Sequence, residues 1–280
     1  MNMAAFTYQR ASSLDDALAT LAGGDAKIIA GGMSILPLMK LRLASPGTLV
    51  DIGRLSELKG INPTGDGGLE IGALVTYAEI LASTKLPIAI QCITGIGDIQ
   101  VRNRGTVGGS ISHADPASDL PALGLALDYS VVLRSSRGER TVPLDGFFEG
   151  AFQTGIQPDE ILVRIVRGPL PAGAGGSYQK MEHPASGYSI VGVAAVVASS
   201  GGSVTHARVA LTGVGEVAYR AKAVEAALLG SDASPAAVAA AAEHATHGQT
   251  VNGDIHADRD YRARMAVVYT RRAIEAALGR

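Results

Sequence analysis

Lys27-Ile-Ile-Ala30-Gly31-Gly32-Met33-Ser34, continuing through Ile-Leu-Pro-Leu-Met-Lys40-Leu-Arg42 to Ser45-Pro46-Gly47 and Leu49-Val-Asp-Ile52, decides the fold. Residues 27–30 are an apolar run of strand length that ends in two glycines. Residues 34–43 read as a helix closed by Ser45-Pro46-Gly47, and residues 49–52 as a second strand. Upstream, Leu14, Ala17, Leu18 and Leu21 recur at i, i+3, i+4 and i+7, one apolar helical face. Ser12 or Ser13 can cap its start and Gly23-Gly24 ends it. The first 55 residues therefore alternate strand and helix, an α/β pattern.

Working outward, residues 60–68 are rich in turn formers, 69–74 read as a strand, and Thr76 caps a helix. Pro87 opens an apolar stretch that stops at Gly95-Ile-Gly97-Asp98, and residues 129–133 and 161–166 read as strands. Residues 168–176, Gly-Pro-Leu-Pro-Ala-Gly-Ala-Gly-Gly, are the strongest linker signal in the chain. Beyond it, residues 177–181, 188–198 and 204–212 read as three strands of a meander. A helical tail follows: 221–229, a helix with Ser234 as cap and Pro235 at its first position, and 258–278.

Composition narrows the chemistry. A net charge of −2 with mixed signs gives no basic footprint for nucleic acid. No apolar run reaches the roughly 20 residues of a membrane span, and the first residues carry no secretory signal pattern, so a cytoplasmic protein is expected. One cysteine, Cys92, makes no disulfide, zinc cage or iron–sulfur cluster, so no metal is expected on this chain. With 35 glycines and 4% aromatics, the chain brings backbone rather than rings close to partners, which suits a phosphate-bearing ligand.

Two loops have that character. Ala30, Gly31, Gly32, Met33 and Ser34 stand between a strand and a helix, where free N–H groups and the absence of Cβ favour phosphate. The simpler reading is a glycine turn with Ser34 as cap. Thr106, Val107, Gly108, Gly109 and Ser110 repeat the pattern, followed by His113-Ala-Asp115-Pro116-Ala-Ser-Asp119-Leu-Pro121. Asp115 before Pro116 reads as a helix cap. Asp119, in an apolar helix start, is either structural or an acceptor for ligand hydroxyls. Neither loop ends in the Lys-Ser/Thr of a P-loop, and 95–100 breaks the Rossmann fingerprint.

Ala30-Gly-Gly-Met-Ser34, together with Asp98-Ile-Gln-Val-Arg102-Asn103-Arg-Gly105-Thr-Val-Gly-Gly-Ser110, Asp115-Pro and Asp119-Leu-Pro, resembles the two FAD loops of the molybdenum-hydroxylase flavoproteins. That family includes the medium subunit of aerobic carbon monoxide dehydrogenase and the flavin domain of xanthine dehydrogenase. The resemblance covers nearly the whole chain. It implies an α+β fold: a two-subdomain FAD-binding domain of the vanillyl-alcohol-oxidase type over residues 1–170, divided near 55. A C-terminal domain of a three-stranded antiparallel sheet with a helical bundle is implied over 176–280. It further implies that 30–34 and 106–110 hold the cofactor through backbone amides, that Asp119 binds its hydroxyls, that Leu162 contacts it, that Lys180 lies near the flavin and that Tyr188 covers it. From the residues alone Lys180 reads as solvated and Tyr188 as part of a sheet. Implied partners are a small [2Fe-2S] subunit and a large subunit with molybdopterin cofactor, as a dimer of heterotrimers. A self-contained flavoenzyme, or a scaffold that has lost FAD, are the other readings. The sequence departs from the family pattern at Ser110, where Asn is usual, at Met33, where His or Gln is common, and at His183-Pro184, where basic residues are common.

Overall fold

A computed structural model describes residues 3–280. Its first unit is built from β1 (Thr7–Arg10), α1 (Leu14–Ala22), β2 (Ala26–Ile29), α2 (Ile35–Lys40) and β3 (Thr48–Asp51). The three strands are parallel in the order β1-β3-β2, the outcome of strand–helix–strand crossovers. Ser13, not Ser12, caps α1 by accepting from the Asp16 N–H, and Ala17 and Leu18 supply its buried face. The strand β1 is polar and largely exposed, which is why hydrophobic pattern gave no sign of it. The second helix is shorter than residues 34–43 suggested, because Arg42 turns into the left-handed region at φ 60°.

The second unit adds β4 (Ile61–Pro63), β5 (Leu69–Gly72), α3 (Tyr77–Ser83), α4 (Pro87–Thr94), α5 (Ile99–Arg102), α6 (Val107–His113) and α7 (Asp119–Ala126). It continues with β6 (Ser130–Ser135), β7 (Gly138–Pro143), a small hairpin β8 (Phe148–Gly150) and β9 (Gln153–Thr154), and β10 (Ile161–Arg167). Five of these strands form an antiparallel sheet in the order β4-β5-β10-β6-β7. The short or exposed members β4 and β7 are edge strands that lack a buried face to betray them in sequence. Thr76 and Glu79 close a reciprocal capping box on α3.

The C-terminal unit has β11 (Gly175–Glu182), β12 (Ser189–Ser200) and β13 (Ser203–Thr212) as an antiparallel meander, with a two-residue β14 (Tyr219–Arg220) added to its edge. Helices α8 (Lys222–Leu228), α9 (Pro235–Ala242) and α10 (Arg259–Ala277) follow. Ser234 and Asp258 cap α9 and α10 through their side chains. The linker signal ends earlier than its glycines imply: Gly175 and Gly176 are strand residues. A Cβ on Gly175 would lie 2.0 Å from the Ala277 carbonyl oxygen, so glycine there lets α10 seat against β11.

Buried Val191, Val193, Ala195 and Leu211 pack against α8–α10, while Ala194, Val196 and Ala210 on the other face join the core of the second unit. The meander is thus covered on both sides, which explains its near-continuous apolar β12. Arg262 is the buried polar anchor of this unit, donating to the carbonyls of Ile190 and Gly213 at 2.6 Å each and to Asp254. We expect Arg262→Leu to strand both carbonyls and lower stability by about 2–4 kcal/mol, measured by urea unfolding. No helix among the described residues is long and apolar enough to cross a membrane.

Candidate functional site

The two glycine loops meet. A Cβ on Gly31 would stand 1.9 Å from the Arg104 carbonyl oxygen and 3.3 Å from the Gly105 Cα, so the first loop lies directly on the start of the second. On the far side, a Cβ on Gly105 would strike the Tyr77 ring at 2.7 Å. The approach is locally enforced. Asp98 caps α5, and the Arg102 guanidinium donates to the carbonyls of Thr94, Ile96 and Gly97, clamping the turn that delivers Gly105.

The loops differ in what they offer a ligand. Among the described residues, the N–H groups of Gly31, Gly32, Met33 and Ser34 donate to no acceptor, and the Ser34 hydroxyl makes no cap bond. Gly32 holds a left-handed φ of 78°, and Met33 is 41% exposed. This is a cradle of unpaired donors at the start of α2. In the second loop the N–H groups are mostly engaged. Val107 and Gly108 donate to the Val75 and Ala73 carbonyls, Gly109 to the Thr106 hydroxyl, and Ser110 to the Thr106 carbonyl. Four of the five N–H groups of residues 106–110 thus have internal acceptors, on Val75, Ala73 and Thr106. The Thr106 N–H, the Cβ-free surface of Gly109 and the Ser110 hydroxyl remain.

From Ser110 a polar chain runs into the C-terminal unit. The hydroxyls of Ser110 and Ser118 lie 2.9 Å apart, and Ser118 precedes Asp119. Asp115 does not cap a helix, as its Pro116 neighbour suggested; it accepts from the Ala117 N–H in a turn, and α7 begins at Asp119. The Asp119 carboxylate is 4% exposed. Its Oδ1 accepts from the Tyr178 hydroxyl at 2.5 Å and the Ser189 hydroxyl at 2.6 Å, and its Oδ2 from Lys180 Nζ at 2.8 Å. Burial pushes this carboxyl above the ordinary carboxylate range, and Lys180, Ser189 and Tyr178 pull it back. With three internal donors, Asp119 has acceptor capacity left mainly on Oδ2, so its reach to cofactor hydroxyls is narrower than the resemblance implied.

Lys180 is far from solvated: its side chain is 9% exposed, and Nζ also donates to the Gly95 carbonyl at 3.0 Å, leaving one N–H. Tyr188 precedes β12 rather than lying in it, 51% exposed. It lines a cavity of about 350 Å³ with Asp115, His183, His256 and Arg262. The Leu162 side chain is 5% exposed, in the core that also takes Val107 and Ile111. Sequence reasoning missed Tyr178, Ser189 and Gly192. Only the strand register, which places Lys180 opposite Gly192, brings them together.

Comparison with known proteins fits this arrangement. Residues 4–171 match the family described as the FAD binding domain in molybdopterin dehydrogenase, and residues 176–277 match the CO dehydrogenase flavoprotein C-terminal domain. The chain belongs to this flavoprotein family. It is 39% identical to the carbon monoxide dehydrogenase medium chain of Hydrogenophaga pseudoflava over 98% of both chains. It is 37% identical to the 6-hydroxypseudooxynicotine dehydrogenase complex subunit alpha of Paenarthrobacter nicotinovorans, over 100% of this chain and 97% of that one. The solved carbon monoxide dehydrogenase of Hydrogenophaga pseudoflava that lacks the Mo-pyranopterin moiety has a chain that superposes with a TM-score of 0.96 at 41% identity, covering 100% and 99% of the two chains. As a flavoprotein of this family the chain is an oxidoreductase subunit whose cofactor is FAD. Its residues fit that group: the unpaired donors of 31–34 suit phosphate, and the buried Lys180 suits a ring that gains negative charge.

Proposed function

We propose that this chain carries FAD across the contact between its two glycine loops and passes electrons from an iron–sulfur subunit to an external acceptor. Its partners in this reading are a small [2Fe-2S] subunit and a large molybdenum-cofactor subunit, joined as a dimer of heterotrimers in the cytoplasm. The observation that carries the proposal is the apposition of Gly31 and Arg104, which presents four unpaired N–H groups beside the second loop. FAD supplies the redox chemistry, and the protein supplies binding, orientation and charge. Residues 30–34 would hold phosphate. Thr106, Gly109 and Ser110 would hold the polar chain of the cofactor, with Val107, Gly108 and Leu162 supporting them from the core. Lys180 would face the flavin and Tyr188 would cover it, at the rim of the cavity lined by His183 and His256. No general acid or base is assigned.

Purified protein is expected to be yellow, with one FAD per chain, and to co-purify with iron–sulfur and molybdenum subunits when they are co-expressed. Colourless protein that takes up no FAD would overturn the reading. Oxidation of an organic donor by the isolated chain would favour a self-contained flavoenzyme instead.

A further inference from the structure

The buried Asp119 is held by three side-chain donors from the C-terminal unit. Two hydroxyls from different strands, Tyr178 of β11 and Ser189 of β12, converge on one of its oxygens, while Lys180 takes the other. A buried tyrosine hydroxyl is easily satisfied by a backbone carbonyl, as Tyr219 is by Ala245 at 3.0 Å. Tyr178 is aimed at a charge instead. Room for it is made by Gly192, where a Cβ would lie 2.3 Å from the Tyr178 hydroxyl and 2.8 Å from the Ser189 hydroxyl. The network spans the two domains and anchors the lysine.

We propose that the hydroxyls of Tyr178 and Ser189 are positioning groups that keep Asp119 as the counter-charge of Lys180, and so set the net charge this pair presents to the flavin. The inference rests on the reading that Lys180 faces the flavin. Hydrogen bonds to a charged acceptor are strong, so each hydroxyl removed makes Asp119 about tenfold or more readier to take a proton. A protonated Asp119 leaves Lys180 uncompensated, which favours an electron-rich flavin and raises its midpoint potential. Other titratable groups whose fields bear on the carboxylate are Cys92, Tyr77, Tyr178 and Tyr188. Burial raises the Cys92 thiol and the Tyr178 hydroxyl well above their ordinary values and Tyr77 to about 12, so these stay neutral. Lys180 is the cation that acts on Asp119.

The test is flavin midpoint potential against pH, from about 5.5 to 8.5, in FAD-loaded wild type, Tyr178→Phe, Ser189→Ala and the double variant, with Tyr219→Phe as a buried-hydroxyl control. Both single variants are expected to retain FAD and to show a potential more positive than wild type at the acid end. The gap should close as pH rises and Asp119 ionises, widen in the double variant, and be absent in Tyr219→Phe. Curves that superimpose on wild type with FAD bound would overturn the proposal. If Tyr178→Phe does not fold, Ser189→Ala decides alone by the same comparison. A wild-type protein without FAD would instead count against the flavin-carrier reading.

Discussion

Gly31→Ala will weaken FAD binding about 100-fold, a loss of roughly 2.7 kcal/mol, while leaving the C-terminal domain folded. The new methyl would sit 1.9 Å from the Arg104 carbonyl oxygen, which belongs to a backbone clamped by Arg102 and cannot swing aside as a side chain would. The first loop must lift by about an ångström, and four N–H groups lose their common aim. Gly31 does not use the left-handed region, so alanine is conformationally permitted and the effect isolates the contact itself. Gly65→Ala, which meets nothing within 4 Å, is the matching control. Fluorescence titration of apoprotein with FAD checks the result, and equal affinities for the two variants would sink the loop-contact account.

Lys180→Ala will destabilise the protein by about 3–5 kcal/mol near pH 8, and less at pH 5.5. The substitution leaves Asp119 buried with only its hydroxyl donors, and the Gly95 carbonyl without the ammonium. The sign follows from proton binding. Because burial already raises Asp119 in the folded state, the native protein binds more protons than the unfolded chain between the two values, and stability falls as pH rises through that window. Without the lysine the folded value climbs further, so the loss extends toward alkaline pH. Urea unfolding at the two pH values measures it. A pH-independent deficit would mean that Lys180 acts by packing, and Lys180→Met with Asp119→Asn should recover most of the stability. Flavin midpoint potential should also shift in Lys180→Ala, and an unchanged value would remove this lysine from the flavin's surroundings.

Local chemistry was legible where a residue's role depends on its neighbours in sequence. The Thr76 and Ser234 caps, a serine cap on α1, the Pro235 helix start and the β12 apolar run all express preferences satisfied within a few residues. Polar edge strands such as β1 and β7 lack such a signal, since pairing on one side alone places no demand on side chains. Asp115 shows the limit from the other side: an Asp-Pro step favours a cap, yet the turn is taken instead, with the Pro116 carbonyl accepting from Gly213 and Thr212 of the other domain.

The sequence by itself determined the α/β start, the break between two domains, and a pair of glycine-rich loops suited to a phosphate-bearing ligand, whose resemblance to a known family implied a flavoprotein. Those features are written in backbone preference and periodicity, which act over short range. Only the tertiary structure decided which amides remain free, that Lys180 is buried rather than solvated, and that Tyr178, Ser189 and Gly192 stand around Asp119. These depend on strand register and on two domains closing over one carboxylate, and the cost of burying a charge appears only once its distant partners have arrived.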